Sequence, residues 1–345
     1  MDEFSPRTLF MHSLLDPAIM FFLLGILAGS VKSNLEIPPP IAKFLALYLL
    51  MAVGLKGGFA LDKSGLAASV VVPLLACVAM AFVVPMMGYA VLRRITDPLN
   101  AAAVAAAYGS VSAVTFVTAT QYLDAQGMAF GGHMAAAMVL METPAILLAL
   151  IWARRIAHHP ATQALATPHS SPALATPQGL GTQGWGHWLR ECFTEGAQML
   201  LLGALLIGFV SGETGQAIMQ PFSGDLFKGM LAFFLLDMGV QVAKNFSHAR
   251  QAPVLLWAYA LVGPLVHAGI ALALAAALDV PVPDAVLLMV LSASASYIVV
   301  PAVLRHAMPQ ANPAIYLGLS LGLTFPFNIL LGIPLYVEWA HWALG

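Results

Sequence analysis

Long apolar runs separated by short polar connections make up most of the chain. Ten runs are candidate transmembrane helices: residues 16–32, 41–60, 67–92, 98–122, 131–153, 193–211, 224–244, 252–278, 283–305 and 311–340. A membrane core of about 30 Å needs roughly 20 consecutive apolar residues in a helix. The pattern therefore predicts an all-α polytopic membrane protein with about ten transmembrane helices.

The ten runs fall into two groups of five that resemble each other. A step of 182 residues, counted from Ser110 to Ser292, also pairs Ser112 with Ser294. The same step pairs further glycines and prolines: Gly57 with Gly239, and Pro144 with Pro326. Five spans are an odd number, so a second half with the same fold enters the membrane from the opposite side. This is the inverted-topology repeat of many secondary transporters.

The repeat predicts three segments: a first five-helix repeat over 16–153, a linker over 154–192 and an inverted second repeat over 193–340. Prolines and small polar residues fill 156–190, a composition that buries too little to form a core, and we expect part of it to be flexible.

The basic residues orient the chain in the membrane, because Lys and Arg collect in cytoplasmic loops. Of the 14 basic residues, ten are cytoplasmic if both termini are extracytoplasmic and the linker is cytoplasmic. Asp2, Glu3 and Arg7 precede the first apolar run, which lacks the basic start of a signal peptide, so we expect that run to remain as a helix. We predict a multi-pass protein of the inner (plasma) membrane.

Composition supports this class and excludes several others. Hydrophobic residues make up 60% and charged residues 9% of the chain, and the mean hydropathy is +0.86. A net charge of -2 lacks the basic surplus that nucleic-acid binding needs. Two separated cysteines and ten scattered histidines suggest neither a disulfide framework nor a metal centre. Nucleophile–base pairs and phosphate-binding glycine motifs are missing, so we predict no enzyme and no organic cofactor.

Two polar stretches inside apolar runs are the candidate binding centre: 108–115 in the fourth span and 292–297 in the ninth. We predict a helix break at each, because unwound backbone at membrane depth is tolerated where it is buried in protein or faces a water-filled site. The first amides of each following half-helix carry a partial positive charge that suits a small anion. Serines at a spacing of four also occur as ordinary packing residues in membrane helices, which is the alternative.

The predicted sites contain two sets of residues. The anion site consists of Gly109, Ser110, Ser112, Ala113, Ser294, Ala295 and Ser296. The sodium site consists of Thr115, Glu142, Ser292, Thr324 and Asn328. Oxygen atoms are the ligands that a hard cation accepts, and a carboxylate inside a span suggests function. Asp237, in the seventh span, stays open between a structural and a functional role.

These stretches resemble the sodium-dependent bicarbonate transporter (SbtA-like) family. The resemblance rests on Gly109 to Thr115, on Met141-Glu142-Thr143-Pro144-Ala145 and on Ser292 to Ile298 with Pro301-Ala302. The chain departs from the family pattern at Ala113-Val114, where the family has a second small Gly-Ser pair, and at Glu142, where it has Asp. The resemblance implies sodium-coupled bicarbonate uptake, a homotrimer and a PII-like regulatory protein on the cytoplasmic face.

Taken together, the sequence predicts a sodium-coupled symporter that imports a small inorganic anion, with bicarbonate as the leading candidate. One bundle, carrying spans 4, 5, 9 and 10, would move against a scaffold of the other spans and expose the site alternately. Two alternatives stay open. One is a sodium- or proton-coupled carrier of organic anions, and the other is a non-transporting membrane receptor or scaffold.

Overall fold

The computed structural model describes residues 15–64, 68–157, 196–250 and 252–345, which contain helices and no strands. The first part holds α1 (Pro17–Ser30), α2 (Pro39–Ser64), α3 (Ala68–Leu92), α4 (Pro98–Gly109), α5 (Ala113–Ala125) and α6 (His133–Ala157). The second part holds α7 (Gly196–Gln220), α8 (Leu226–Ala249), α9 (Val254–Ala277), α10 (Val282–Ala293), α11 (Val299–Ala307) and α12 (Pro313–Leu344).

Seven helical stretches of the described residues are long and apolar enough to cross a membrane, and two shorter apolar helices, α1 and α10, accompany them. The longest stretch, Gly196–Phe246, has 51 residues and would be about 77 Å long if straight, far more than the membrane core. It bends at Gly212, whose φ of 53° is open to glycine and strained for other residues. These helices confirm a polytopic α-helical membrane protein.

Three helices begin at an Asx-Pro pair. Asp16, Asp97 and Asn312 each accept a hydrogen bond from a backbone N–H of the first helical turn, and proline occupies the next position, where it has no N–H to leave unpaired. Desolvation raises the pKa of Asp97, but hydrogen bonds from Asn100 and Leu99 outweigh it and hold the pKa below its ordinary value. The sequence itself therefore fixes where α1, α4 and α12 start.

Two helix pairs, α1 with α8 and α2 with α7, touch backbone to backbone. A Cβ atom on Gly25 would lie 2.2 Å from the carbonyl oxygen of Leu236, and one on Gly58 would lie 2.2 Å from that of Leu205. Small residues allow membrane helices to approach this closely. Each pair is therefore fixed at a contact that only glycine permits.

The two most deeply buried helices are α4 and α10. Residues 101–109 of α4 and 284–293 of α10 are all buried. Helices α3, α6, α11 and α12 surround α4, while α3, α5, α9 and α12 surround α10. Both helices end inside the protein instead of continuing across it.

Helix α12 contains two widened turns. Five-residue π turns at Ser320–Thr324 and Asn328–Gly332 flank a short α-helical segment that contains Pro326. Proline lacks the N–H that a regular helix needs, so the widened turns accommodate its ring. Pro144, its counterpart in the first half, lies within the continuous helix α6.

Several predicted boundaries differ from the structure. The segment predicted as linker begins inside α6, which continues to Ala157, and residues 158–195 lie outside the described residues. The last helix continues beyond residue 340 to Leu344, because its C-terminal turns remain apolar.

Candidate functional site

Both predicted helix breaks are present. The first is shorter than its sequence stretch, and the second begins two residues later than its stretch. The first break contains residues 110–112, between α4 and α5, and the second contains 294–298, between α10 and α11. Ser110 and Ser294 leave their helices in the same extended conformation, with ψ of 173° and 168°. Thr115 and Ser292 lie in the helices that flank the breaks.

The two breaks are hydrogen-bonded to each other in a reciprocal manner. The Ser112 N–H donates to Ser294 Oγ at 2.9 Å, and the Ser296 N–H donates to the Ala107 carbonyl at 2.7 Å. All four residues are buried. We call residues 107–115 and 291–300 the crossing, because here each half of the chain donates a backbone hydrogen bond to an oxygen atom of the other half.

Serine hydroxyls cap the half-helices that leave the crossing. Ser112 Oγ accepts from the Thr115 N–H at 3.2 Å and from the Thr115 hydroxyl at 2.9 Å, and it lies 3.5 Å from the Tyr297 hydroxyl. Ser296 Oγ accepts from the Val300 N–H at 3.3 Å. The remaining N–H groups of these first turns carry the partial positive charge of a helix N-terminus, which attracts anions.

Side chains from α9 and α12 hold the carboxyl end of α10. Asn328 Nδ2 donates to the Ala293 carbonyl at 2.9 Å, and Asn328 Oδ1 accepts from the Tyr336 hydroxyl at 2.8 Å. The buried ring of His267 lies next to the backbone of Ser292. These contacts fix the place where α10 stops.

Tyr108 anchors the last turn of α4. Its hydroxyl lies 2.5 Å from Thr324 Oγ1, which donates its own proton to the Ala260 carbonyl at 2.8 Å. Tyr108 is therefore the donor to Thr324. The Tyr108 ring also packs edge-on against Tyr259 at 5.1 Å between centroids. Helices α4, α9 and α12 are joined at this point.

Glu142 is buried at a contact between α6 and α7. Gln198 Nε2 donates to Glu142 Oε2 at 2.6 Å, and both side chains are buried. This bond connects Glu142 to α7, which is not part of the crossing. Asp237, on α8, is also buried and lies outside the crossing.

The structure brings all seven predicted anion-site residues into the crossing: Gly109, Ser110, Ser112, Ala113, Ser294, Ala295 and Ser296. Of the predicted sodium ligands, Thr115 and Ser292 lie in its flanking turns, and Thr324 and Asn328 contact it. Glu142 makes its hydrogen bond with Gln198 of α7 instead.

Sequence reasoning missed three residues that hold the crossing in place: Tyr108, His267 and Tyr336. Tyr108 directly precedes the first break, so its position was a usable signal. His267 stands alone in an apolar run, without a neighbouring ligand. A lone polar residue in a span gives no indication of its partner, and Ser292 is far away in sequence.

Interrupted helices that meet at a buried polar centre are typical of secondary transporters. The sequence matches the family model described as the Na+-dependent bicarbonate transporter superfamily over residues 17–341, and the chain belongs to this superfamily. The match confirms the resemblance noted in the motifs. No curated protein matches the chain.

Proposed function

We propose that the protein is a symporter that couples sodium entry to the import of a small inorganic anion, bicarbonate. The observation that carries the proposal is the reciprocal bonding of the two breaks, Ser112 to Ser294 and Ser296 to Ala107. Membership of a Na+-dependent bicarbonate transporter superfamily supports both the cation and the anion.

The anion is proposed to bind at the N-terminal ends of α5 and α11. The first-turn amides of these half-helices point out of the helix and carry partial positive charge. The hydroxyls of Ser112 and Ser296 line the same ends and are buried. A small planar oxyanion can accept several short hydrogen bonds from such groups, and these bonds, which are stronger where water is excluded, offset the desolvation of its charge.

Sodium is proposed to bind close to the anion, since an opposite charge reduces the free energy of bringing either ion to membrane depth. The predicted ligands Thr324 and Asn328 already hold α4 and α10 in place through hydrogen bonds. Glu142 and Thr115 stay predicted ligands, although each has a hydrogen-bond partner in the structure.

The inverted repeat is proposed to organise the ten spans. Two observations support it. The polar stretches recur in the sequence at a step of 182 residues, and in the structure the two breaks begin 184 residues apart, at Ser110 and Ser294, after helices of 12 residues each. In addition, α1 contacts α8 and α2 contacts α7, which are reciprocal pairs if α1 corresponds to α7 and α2 to α8. The basic residues favour extracytoplasmic termini in the plasma membrane.

Transport is proposed to occur by alternating access, with α4, α5, α6, α10, α11 and α12 as the moving bundle. An ion pair and an aromatic contact are among the interactions that join this bundle to the remaining helices. Lys56 Nζ pairs with Asp124 Oδ2 at 3.1 Å, and Phe22 packs edge-on against Phe325 at 5.6 Å. Both must break or rearrange when the bundle moves, and both are weak enough to do so.

A trimeric assembly and a PII-like partner at the cytoplasmic face remain proposals that rest on the family resemblance. Light scattering of the purified protein gives the number of subunits. Co-purification with a PII-like protein tests the partner, and absence of a stable complex would contradict it.

Uptake of labelled bicarbonate by proteoliposomes tests the proposed function. An inward sodium gradient should drive accumulation, and an equal potassium or choline gradient should not. Ser296→Val should abolish uptake by removing the cap of α11, whereas Ser211→Val, at an exposed position of α7, should retain it. Sodium-driven uptake of an organic anion alone would favour the organic-anion carrier, and a folded sample without any uptake would favour the receptor or scaffold.

A further inference from the structure

The carboxyl ends of α4 and α10 carry the same partial negative charge, yet their carbonyl groups have different partners. At α10, the carbonyl of Leu291 accepts from Ser294 Oγ at 2.9 Å, and that of Ala293 accepts from Asn328. Donors of the protein itself therefore satisfy two of the last carbonyls of α10.

The end of α4 has no comparable set of donors. The carbonyls of residues 108–111 receive no hydrogen bond from any residue in the described part of the chain. In an uninterrupted helix the N–H groups four positions later would supply these bonds. Here the Ser112 N–H donates to Ser294, and the Thr115 N–H donates to Ser112 Oγ. Four adjacent carbonyls thus remain as potential ligands.

A buried hydroxyl lies among these carbonyls. Ser110 is 1% exposed, and its Oγ has no hydrogen-bond partner among the described residues. Leaving such a group unsatisfied is unfavourable, so nearly all buried polar groups in folded proteins have a partner. An unpartnered hydroxyl beside four unpartnered carbonyls points to a ligand that binds oxygen atoms.

We propose that the coupling sodium ion binds at the carboxyl end of α4, held by Ser110 Oγ and by carbonyl oxygens of residues 108–111. The proposal rests on the proposed function and specifies its cation site. Sodium is a hard cation that takes oxygen ligands, and the helix end supplies a matching negative potential. Carbonyl oxygens would repel an anion, so Ser110 moves from the predicted anion site to the cation site.

This assignment gives different roles to the carboxyl ends of α4 and α10. Asn328 and the Ser294 hydroxyl donate to carbonyls at the end of α10 and keep it in position, so the proposal assigns the sodium ion to the end of α4 and not to Ser292. Tyr108 and Thr324 position the last turn of α4 without using its carbonyl oxygens. One helix end binds the cation, and the other supports the crossing.

Sodium binding to purified protein in detergent tests the assignment. Binding is measured as sodium-dependent thermal stabilisation, with choline chloride keeping the ionic strength constant. Ser110→Ala should weaken sodium binding about tenfold, a typical loss for one charge-interacting ligand. Ser211→Ala, at an exposed position of α7 outside the crossing, is the control and should change the sodium affinity by less than about twofold. Ser292→Ala removes a hydroxyl at the end of α10 that is also 1% exposed and has no partner among the described residues, and it should weaken sodium binding less than Ser110→Ala does.

A purely structural role of Ser110 is distinguished in sodium-free buffer. Removing an unpartnered hydroxyl should leave the melting temperature unchanged or higher there. Ser110→Cys keeps nearly the same volume and replaces oxygen by a softer sulfur, so it serves if the alanine variant fails to fold. Normal sodium affinity in both Ser110 variants, or a larger loss in Ser292→Ala, would overturn the proposal.

Different results would show that this proposal is wrong and that the proposed function is wrong. If the parent protein binds sodium and Ser110→Ala weakens that binding, but bicarbonate is not taken up, the cation site stands and the substrate is wrong. If the folded parent protein shows no sodium-dependent stabilisation, both proposals are wrong.

Discussion

Replacing Ser294 by alanine tests whether the hydrogen bonds of the crossing hold it together. Ser294 Oγ accepts from the Ser112 N–H and donates to the Leu291 carbonyl, both at 2.9 Å, and the residue is 1% exposed. The substitution leaves a buried N–H without a partner. The Leu291 carbonyl keeps a longer bond of 3.4 Å from the Ser294 N–H.

The expected loss is dominated by the Ser112 N–H. A buried donor left without a partner destabilises a protein by about 1–3 kcal/mol, whereas loss of the bond to the carbonyl adds about 1 kcal/mol or less because a second donor remains. We therefore expect the free energy of unfolding to fall by about 1–4 kcal/mol.

Denaturant unfolding in detergent, followed by tryptophan fluorescence, measures this change. Ser292→Ala is the matched control, because it removes an equally buried hydroxyl that has no partner among the described residues. It should change the free energy of unfolding by less than about 0.5 kcal/mol. If Ser294→Ala is no less stable than Ser292→Ala, the hydrogen bonds between the breaks do not stabilise the fold.

Two further substitutions test the helix contacts. Gly58→Ala would place a Cβ atom 2.2 Å from the Leu205 carbonyl oxygen and should destabilise the protein by more than about 2 kcal/mol. As a control, the Cβ atom of Gly203→Ala would meet no atom within 4 Å, and this change should stabilise the protein by about 0.5–1 kcal/mol. Similar melting temperatures of the two variants would contradict the close contact. Asp124→Asn removes the ion pair with Lys56; the Asp124 side chain is 39% exposed and that of Lys56 is 31% exposed. We therefore expect the free energy of unfolding to fall by less than about 1 kcal/mol, and by still less in potassium chloride. A loss that is independent of salt would refute the electrostatic assignment.

The fold and the position of the crossing were predictable because the relevant signals are local. Apolar runs of membrane length give the helices, and serines inside such runs mark the breaks. The repeat step of 182 residues added the pairing of Ser112 with Ser294, which the structure shows as a direct hydrogen bond. The helix ends themselves match at a step of 184 residues, since Ser110 and Ser294 end α4 and α10 in the same conformation, so the step counted in the sequence was two residues short.

The supporting contacts were not predictable in the same way, because they join residues whose sequence separation carries no signal. Asn328 was predicted as a cation ligand from its polarity at membrane depth. The structure gives it two protein partners, Ala293 and Tyr336, at separations of 35 and 8 residues. Glu142 likewise accepts a hydrogen bond from Gln198, a polar residue that apolar periodicity alone does not indicate. Sequence identifies which polar groups are buried, while packing decides which of them are already satisfied.

The reciprocal bonds of the crossing have a consequence for biosynthesis. The Ser112 N–H and the Ala107 carbonyl find their partners about 180 residues later in the chain. While the ribosome is still making the second half, the first half must wait in the membrane with these groups unsatisfied or bonded to water. We expect the fourth span to insert early yet reach its final shape only after the ninth has been synthesised, so a protein truncated before residue 294 should be degraded rather than accumulate as a stable half.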